Sequence, residues 1–293
     1  MLYSNAMNNI LRAALWMIGA IIAFTSMAIA GRAVSLELNT FEIMLYRSIT
    51  GIIIVLGMGK LAGTLGQINR SKLRLHFVRN ACHFIGQNLW FYALAIIPLA
   101  QVFALEFTTP IWVILLSPII LQERLTAIGL FSATLGFIGI LIVARPDPTT
   151  IDPGIIAGAA SAIFFALTAI FTRKLTQTES ITTIMFFLTL LQAAFGLICA
   201  VIYGGGQITL PSTSAWPWVI IIGITGLAAH FCLTQALSIA PASVVMPIDF
   251  IRLPTIAVVA MILYDEPLDV LVFVGAALIF AANYLNITRG QRA

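Results

Sequence analysis

Ten apolar runs, each about 20 residues long and joined by short polar connections, make up nearly all of this chain. They lie at 10–32, 40–60, 75–97, 99–121, 124–144, 154–175, 180–203, 215–239, 241–264 and 268–288. Runs of that length match the hydrocarbon thickness of a bilayer. A bilayer offers no water to the backbone, so each run is read as a helix that satisfies its own hydrogen bonds. Charged residues make up only 9% of the 293 and hydrophobic ones 60%, with mean hydropathy +1.04, whereas soluble domains carry about 25% charge. A water-soluble fold is excluded. The expected class is an all-α integral membrane protein of ten transmembrane helices without an extramembrane domain.

The formal charge of +4 does not mark a nucleic-acid partner, because Lys and Arg sit in the connections. With the N-terminus inside, the inner connections receive Arg12, Lys60, Arg70, Lys72, Arg74, Arg124, Arg173, Lys174, Arg289 and Arg292, and the outer ones only Arg32 and Arg145. The positive-inside rule then places both termini in the cytoplasm, in a bacterial-type inner membrane. Cys82, Cys199 and Cys232 lie isolated in apolar runs, with no spacing suited to a metal, and are read as packing residues. Residues 1–6, with Ser-Asn-Ala ahead of Met7, look like a cloning scar. Ala28-Ile29-Ala30 would suit a signal-peptide cleavage site, but the preceding apolar run is longer than a signal core and has a counterpart later in the chain.

That counterpart belongs to an internal repeat. Ala93-Leu94-Ala95-Ile96-Ile97-Pro98 matches Ala236-Leu237-Ser238-Ile239-Ala240-Pro241, and at the same offset Glu106 meets Asp249, Glu123 meets Glu266 and Leu125 meets Leu268. Arg32 pairs with Arg173, and Ile43-Met44 with Ile184-Met185. Two repeats are expected, 7–148 and 149–293, of five spans each. Five is odd, so the second copy enters the bilayer from the opposite side. Alternating-access transporters are built this way, with the solute site near the midplane where the repeats meet.

Polar groups inside a span are costly and face a cavity or a partner. His76, Arg79, Asn80, His83, Gln87 and Trp90 share one face of the third run. His76 and Arg79, near its inner end, are read as ties to neighbouring helices, and His83, Gln87 and Trp90 as candidate cavity lining. His230, the repeat partner of Gln87, extends the site to the eighth run with Thr234 and Gln235. Buried His and Gln that merely satisfy one another are the competing reading. Glu106 and Asp249 occupy equivalent positions, and with Arg47 and Arg252 would form a neutral set. Either the set is a structural ion pair, or Arg252 or Arg47 receives a solute carboxylate while Glu106 or Asp249 receives an ammonium group or a proton. Pro110 and Pro118 interrupt the fourth run, and Pro247 and Pro254 the ninth; matched breaks point to a transport path, simple kinks being the alternative. Trp112 is either a wall or gate of the cavity or a lipid anchor. Gly154, Gly158 and Ala162 suit close helix packing.

No HExxH, G-x-S-x-G, Walker A or dinucleotide fingerprint is present, which opposes a membrane enzyme, and the lack of a soluble domain opposes a receptor. The run Pro110 to Leu125, ending Leu121-Gln122-Glu123-Arg124-Leu125, and its partner Pro254 to Leu268, ending Tyr264-Asp265-Glu266-Pro267-Leu268, resemble the drug/metabolite transporter superfamily. The likeness is to its EamA-type members, covers nearly the whole chain, and is greatest for bacterial aromatic amino acid exporters. It implies export of amino acids, aromatic and other neutral ones, or of related small metabolites, by alternating access. Trp90, Phe103 or Trp112 would offer surfaces to an aromatic side chain. The resemblance implies no metal and no organic cofactor. It leaves open proton coupling against uniport, and monomer against homodimer. Efflux of drugs or cationic metabolites is the alternative carrier reading, in which Glu106 or Asp249 is essential and Arg252 dispensable.

Overall fold

The computed structural model describes residues 2–122, 127–144, 152–267 and 269–289. Among these the chain is all-helical, with no strand. The helices are α1 (Leu2–Val34), α2 (Thr40–Leu61), α3 (Leu73–Ile96), α4 (Leu99–Glu106), α5 (Thr109–Ile120), α6 (Ala127–Ala144), α7 (Pro153–Leu175), α8 (Ile181–Tyr203), α9 (Trp216–Ile239), α10 (Ala242–Ile248), α11 (Arg252–Tyr264) and α12 (Val270–Arg289). Six stretches are long and apolar enough to cross a membrane: Asn8–Val34, Thr40–Leu61, Leu99–Ile120, Pro153–Leu175, Ile181–Tyr203 and Trp216–Ile239. α3 has the length, yet Arg74, His76, Arg79 and Asn80 lower its hydropathy, and α6, α11 and α12 contribute shorter apolar stretches. Residues 2–6, expected as a cloning scar, lie within α1. Glu123, Arg124, Leu125, Arg145, Leu268 and Arg292 fall outside the described residues.

Helix ends in an apolar medium need partners for their first N–H groups. Asn39 Oδ1 accepts from the Phe41 and Glu42 backbone N–H, each at 3.0 Å, and Glu42 Oε2 accepts in return from Asn39 N at 3.0 Å, a capping box that starts α2. Asp152 caps α7 through Gly154 N at 2.7 Å, with Pro153 in the first turn where its missing N–H costs nothing. Ser180 accepts from Thr183 N at 3.2 Å to open α8.

Two of the expected runs are not single helices. The fourth divides into α4 and α5 at Phe107–Thr108, and the ninth into α10 and α11 around a short 3₁₀ turn, Asp249–Ile251. Pro110 lies in the first turn of α5 and Pro254 in that of α11, so each opens the second piece rather than kinking a continuous rod. Pro118 interrupts nothing: α5 runs through it to Ile120. Pro247 falls in α10 just before the turn.

The helices pack in partnered sets. α1 lies on α9, α3 on α7, α2 on α8 and α6 on α12, while α4 meets α11 and α5 meets α10. Exchanging the two halves turns the first of these pairs into the second and the α4–α11 contact into that of α5 with α10, and returns α2–α8 and α6–α12 to themselves. The core around Trp90, Phe91, Phe103 and Leu253 is buried between them, whereas Ile22, Ile53 and Ile262 point outward. Where α2 meets α8 the backbones are close: a Cβ on Gly196 would sit 2.9 Å from Leu45 N. Backbone cannot step aside as a side chain end can. Gly196→Val is therefore expected to lower the thermal unfolding midpoint in detergent, by overpacking worth about 1–3 kcal/mol. Gly57→Ala, with nothing within 4 Å of its Cβ, is expected not to lower it.

Candidate functional site

The break between α4 and α5 is chemically supported. Pro110 has no N–H to give the Glu106 carbonyl; Thr109 Oγ1 donates to it instead at 2.5 Å, and Thr108 Oγ1 donates to Leu105 O at 2.8 Å. The break ends α4 at Glu106. In the other half the 3₁₀ turn sets Asp249 three residues before Arg252, the first residue of α11. The Arg252 guanidinium bonds both acids: Nη2 donates to Asp249 Oδ2 at 2.6 Å and to Glu106 Oε1. Trp90 Nε1 donates to the second Glu106 oxygen at 2.7 Å. Arg252 is 1% exposed and stacked among the Phe24, Phe103 and Phe107 rings, 4.8–5.4 Å from their centroids.

This cluster forms one wall of a cavity of about 670 Å³ of space between atoms, its open side included. α3 supplies His83, Gln87 and Trp90 on successive turns, and α9 supplies His230. The His83 and His230 rings meet edge to face at 4.4 Å between centroids. Both nitrogens of each, Gln87 Nε2 and Asp249 Oδ1 are buried without a hydrogen-bond partner among the described residues. Unsatisfied polar atoms at that depth are costly unless something polar enters.

The cavity lining nearly maps onto itself when the halves are exchanged. Phe24 and Phe165, Met27 and Thr168, Gln87 and His230, Trp90 and Leu233, and Glu106 and Asp249 are repeat partners, and both members of every pair line it. Phe24, Phe107 and Phe165 were not among the sequence candidates. The signal was available for two of them, since the offset joining Arg32 to Arg173 also joins Phe24 to Phe165. One of the unlike pairs changes the charge: the partner of Arg252 is Thr109.

Other candidates stand elsewhere. Arg47 is not beside the acids and lines a separate small cavity among α2, α8 and α9. The expected set of two acids with two cations is thus two acids on one guanidinium. Trp112 is not part of the cavity lining; it packs against the buried cluster that includes Met17, Val113 and Ala166. Gln235 is half-buried and off the lining, one position beyond the α9 face that carries His230 and Thr234. At one end of the bundle Arg32 Nη1 bonds Glu266 Oε1 at 2.5 Å, the same oxygen accepts from Leu99 N at 3.3 Å, and Tyr264 donates to Ile29 O at 3.3 Å. This clasp ties the ends of α1 and α11 to the start of α4.

The model of the EamA-like transporter family matches the chain twice, over residues 11–145 and 152–288. A riboflavin transporter of Brucella anthropi is 32% identical over 220 residues, 74% of this chain and 77% of that protein. An S-adenosylmethionine uptake transporter of Rickettsia prowazekii is 24% identical over 97% of this chain and 95% of its own length. A riboflavin transporter of Vibrio cholerae is 26% identical over 92% and 90%. A solved crystal structure shares the fold at TM-score 0.76 and 17% identity, covering 96% of this chain and 98% of that one. The chain belongs to the EamA-like transporter family and is a multi-pass membrane transporter built from two copies of that family's domain.

Proposed function

We propose that this transporter carries a small organic solute that joins a flat aromatic or heteroaromatic ring to a positively charged group. It does so across a bacterial inner membrane by alternating access of two inverted five-helix repeats, in a ten-helix bundle with both termini cytoplasmic. The carrying observation is a charge imbalance: Glu106 and Asp249 share the single cation Arg252, which leaves one formal negative charge on the cavity wall. A cationic group of the solute, or a proton, balances it. Phe24, Phe107, Phe165 and Trp90 offer ring surfaces beside it.

The relatives' names fit this chemistry. S-adenosylmethionine combines a heteroaromatic ring with a sulfonium cation, whereas riboflavin is neutral and shares only the flat ring system. The Rickettsia prowazekii relative, matched over 95% of its length, is named an uptake transporter. Uptake of a heteroaromatic metabolite therefore replaces amino acid export as the leading reading. Aromatic amino acids, with a ring and an ammonium group, serve as comparison solutes.

Counterflow of labelled S-adenosylmethionine, riboflavin and tyrosine in proteoliposomes tests the reading. Saturable flux of S-adenosylmethionine above empty liposomes is expected, and Glu106→Gln and Asp249→Asn should each lower it about tenfold or more, as a charged hydrogen bond is lost; flux confined to riboflavin, which has the ring without the cation, would contradict the cationic group. Flux confined to tyrosine would return the assignment to amino acids. Flux of none of them would contradict the proposed solute class. The charge set gives a second expectation: Arg252→Met should destabilise the protein by about 3–5 kcal/mol, because two buried acids lose their only cation. Adding Glu106→Gln should recover part of that loss, measured as thermal unfolding in detergent.

A further inference from the structure

The bundle buries a second cationic centre that the acid pair does not use. Arg47 on α2 is 6% exposed and Arg79 on α3 is 1% exposed, and among the described residues no carboxylate lies within salt-bridge distance of either. The acids at the neighbouring helix ends are engaged elsewhere. Glu42 accepts from Asn39 N at 3.0 Å and Thr209 N at 2.7 Å, and Glu179 accepts from Asn69 and Ser71, each at 2.7 Å. Arg79 is held by neutral groups, Nε donating to Thr172 Oγ1 at 3.0 Å and Nη1 to Asn80 Oδ1 at 2.9 Å. Among the described residues the Arg47 guanidinium makes one weak hydrogen bond, Nη1 to Met44 Sδ at 3.5 Å. A lone guanidinium in an apolar bundle is costly unless an anion meets it.

Arg47 lines a small cavity with Ser48, Thr189 and Gln192. Two of those polar groups are already committed, since Ser48 donates to Met44 O at 2.6 Å and Thr189 to Met185 O at 3.2 Å. Gln192 is 2% exposed; its Nε2 donates to Asn80 O at 2.8 Å, while its Oε1 is buried and unpartnered. The wall thus offers one fork of cationic donors and one free acceptor. α9 makes room for them: a side chain at Gly226 would run into the Arg47 guanidinium. One turn farther along that face stands His230, which lines the central cavity. The small chamber and the central one therefore adjoin the same stripe of α9.

We infer that this chamber is a binding site for the zwitterionic head of an α-amino acid, its carboxylate on Arg47 and its ammonium on Gln192 Oε1. The chamber is small, with roughly 240 Å³ of space between atoms, open side included. The inference deepens the transport reading by naming the second end of the solute: a flat ring at the Glu106–Arg252–Asp249 wall and an amino acid head at Arg47.

The site is tested first without any transported solute, by thermal unfolding of the purified full chain with glycine, acetate or ethylammonium at matched ionic strength. A rise of about 2 °C or more with glycine, smaller with acetate and absent with ethylammonium, is expected, and Arg47→Gln should abolish it. Arg47→Lys keeps the charge without the fork and should retain part of the glycine response. Equal rises with acetate and glycine would overturn the amino acid head in favour of a generic anion site, and no rise with either would overturn the site itself. In a second arm, wild type should bind S-adenosylmethionine at least about tenfold more tightly than its decarboxylated analogue, and Arg47→Gln should erase that ratio. A ratio near one in wild type would overturn the head-group assignment. Absence of binding by both compounds, alongside a glycine response, would contradict the solute proposed for the central cavity and leave the Arg47 site standing.

Discussion

A charge placed inside an apolar bundle has to be met by another, and the central architecture of this transporter follows from how Arg252 is met. Its guanidinium reaches Asp249 from the start of α11 and Glu106 at the end of α4, so it joins the two halves of the chain at their broken helices. Neither contact would form on straight rods. The break after Glu106 goes with Pro110 and with the Thr109 hydroxyl that takes over the freed Glu106 carbonyl. Three phenylalanine rings then enclose the cation, so its charge is shielded from lipid and presented to the cavity through its two acids.

The pair packing of the helices gives that centre its frame. Each long helix lies against a member of the other half, and much of the cavity lining exchanges with itself under the same operation. A site shared in this way changes its surroundings when one half moves against the other, which is the physical content of alternating access. The clasp of Arg32 and Glu266, with Leu99 N on the same oxygen, holds one end together in this conformation. Departure from symmetry is where the chemistry concentrates: Thr109 in one half stands where Arg252 stands in the other, so the acids outnumber the cation.

Most of the helical plan was legible in the sequence because hydropathy and run length report directly on a lipid environment. His83, Gln87, Trp90, Glu106, His230, Asp249 and Arg252 were legible for a related reason, since polar groups in apolar runs are conspicuous and the repeat put them in register. Phe24 and Phe165 were passed over although the repeat offset joins them, because an aromatic residue in an apolar helix does not stand out as a polar one does. Arg47 was found as a buried cation but misplaced: one sequence cannot say which of two acids a long side chain reaches. The divided fourth and ninth runs were signalled by proline. The Glu106 carbonyl stranded by Pro110 is met by the Thr109 hydroxyl at the break, whereas Pro118 sits within an intact α5.

The central claim is that the solute lies against the Glu106–Arg252–Asp249 wall, where Trp90 donates to Glu106. A variant retaining Trp90 alone, with Trp16, Trp112, Trp216 and Trp218 replaced by phenylalanine, reports on that wall through its fluorescence. Titration with S-adenosylmethionine should change Trp90 emission saturably, with the midpoint moved about tenfold or more when Glu106→Gln is added. Unchanged emission in a variant that still transports the compound would place the solute elsewhere and contradict the account.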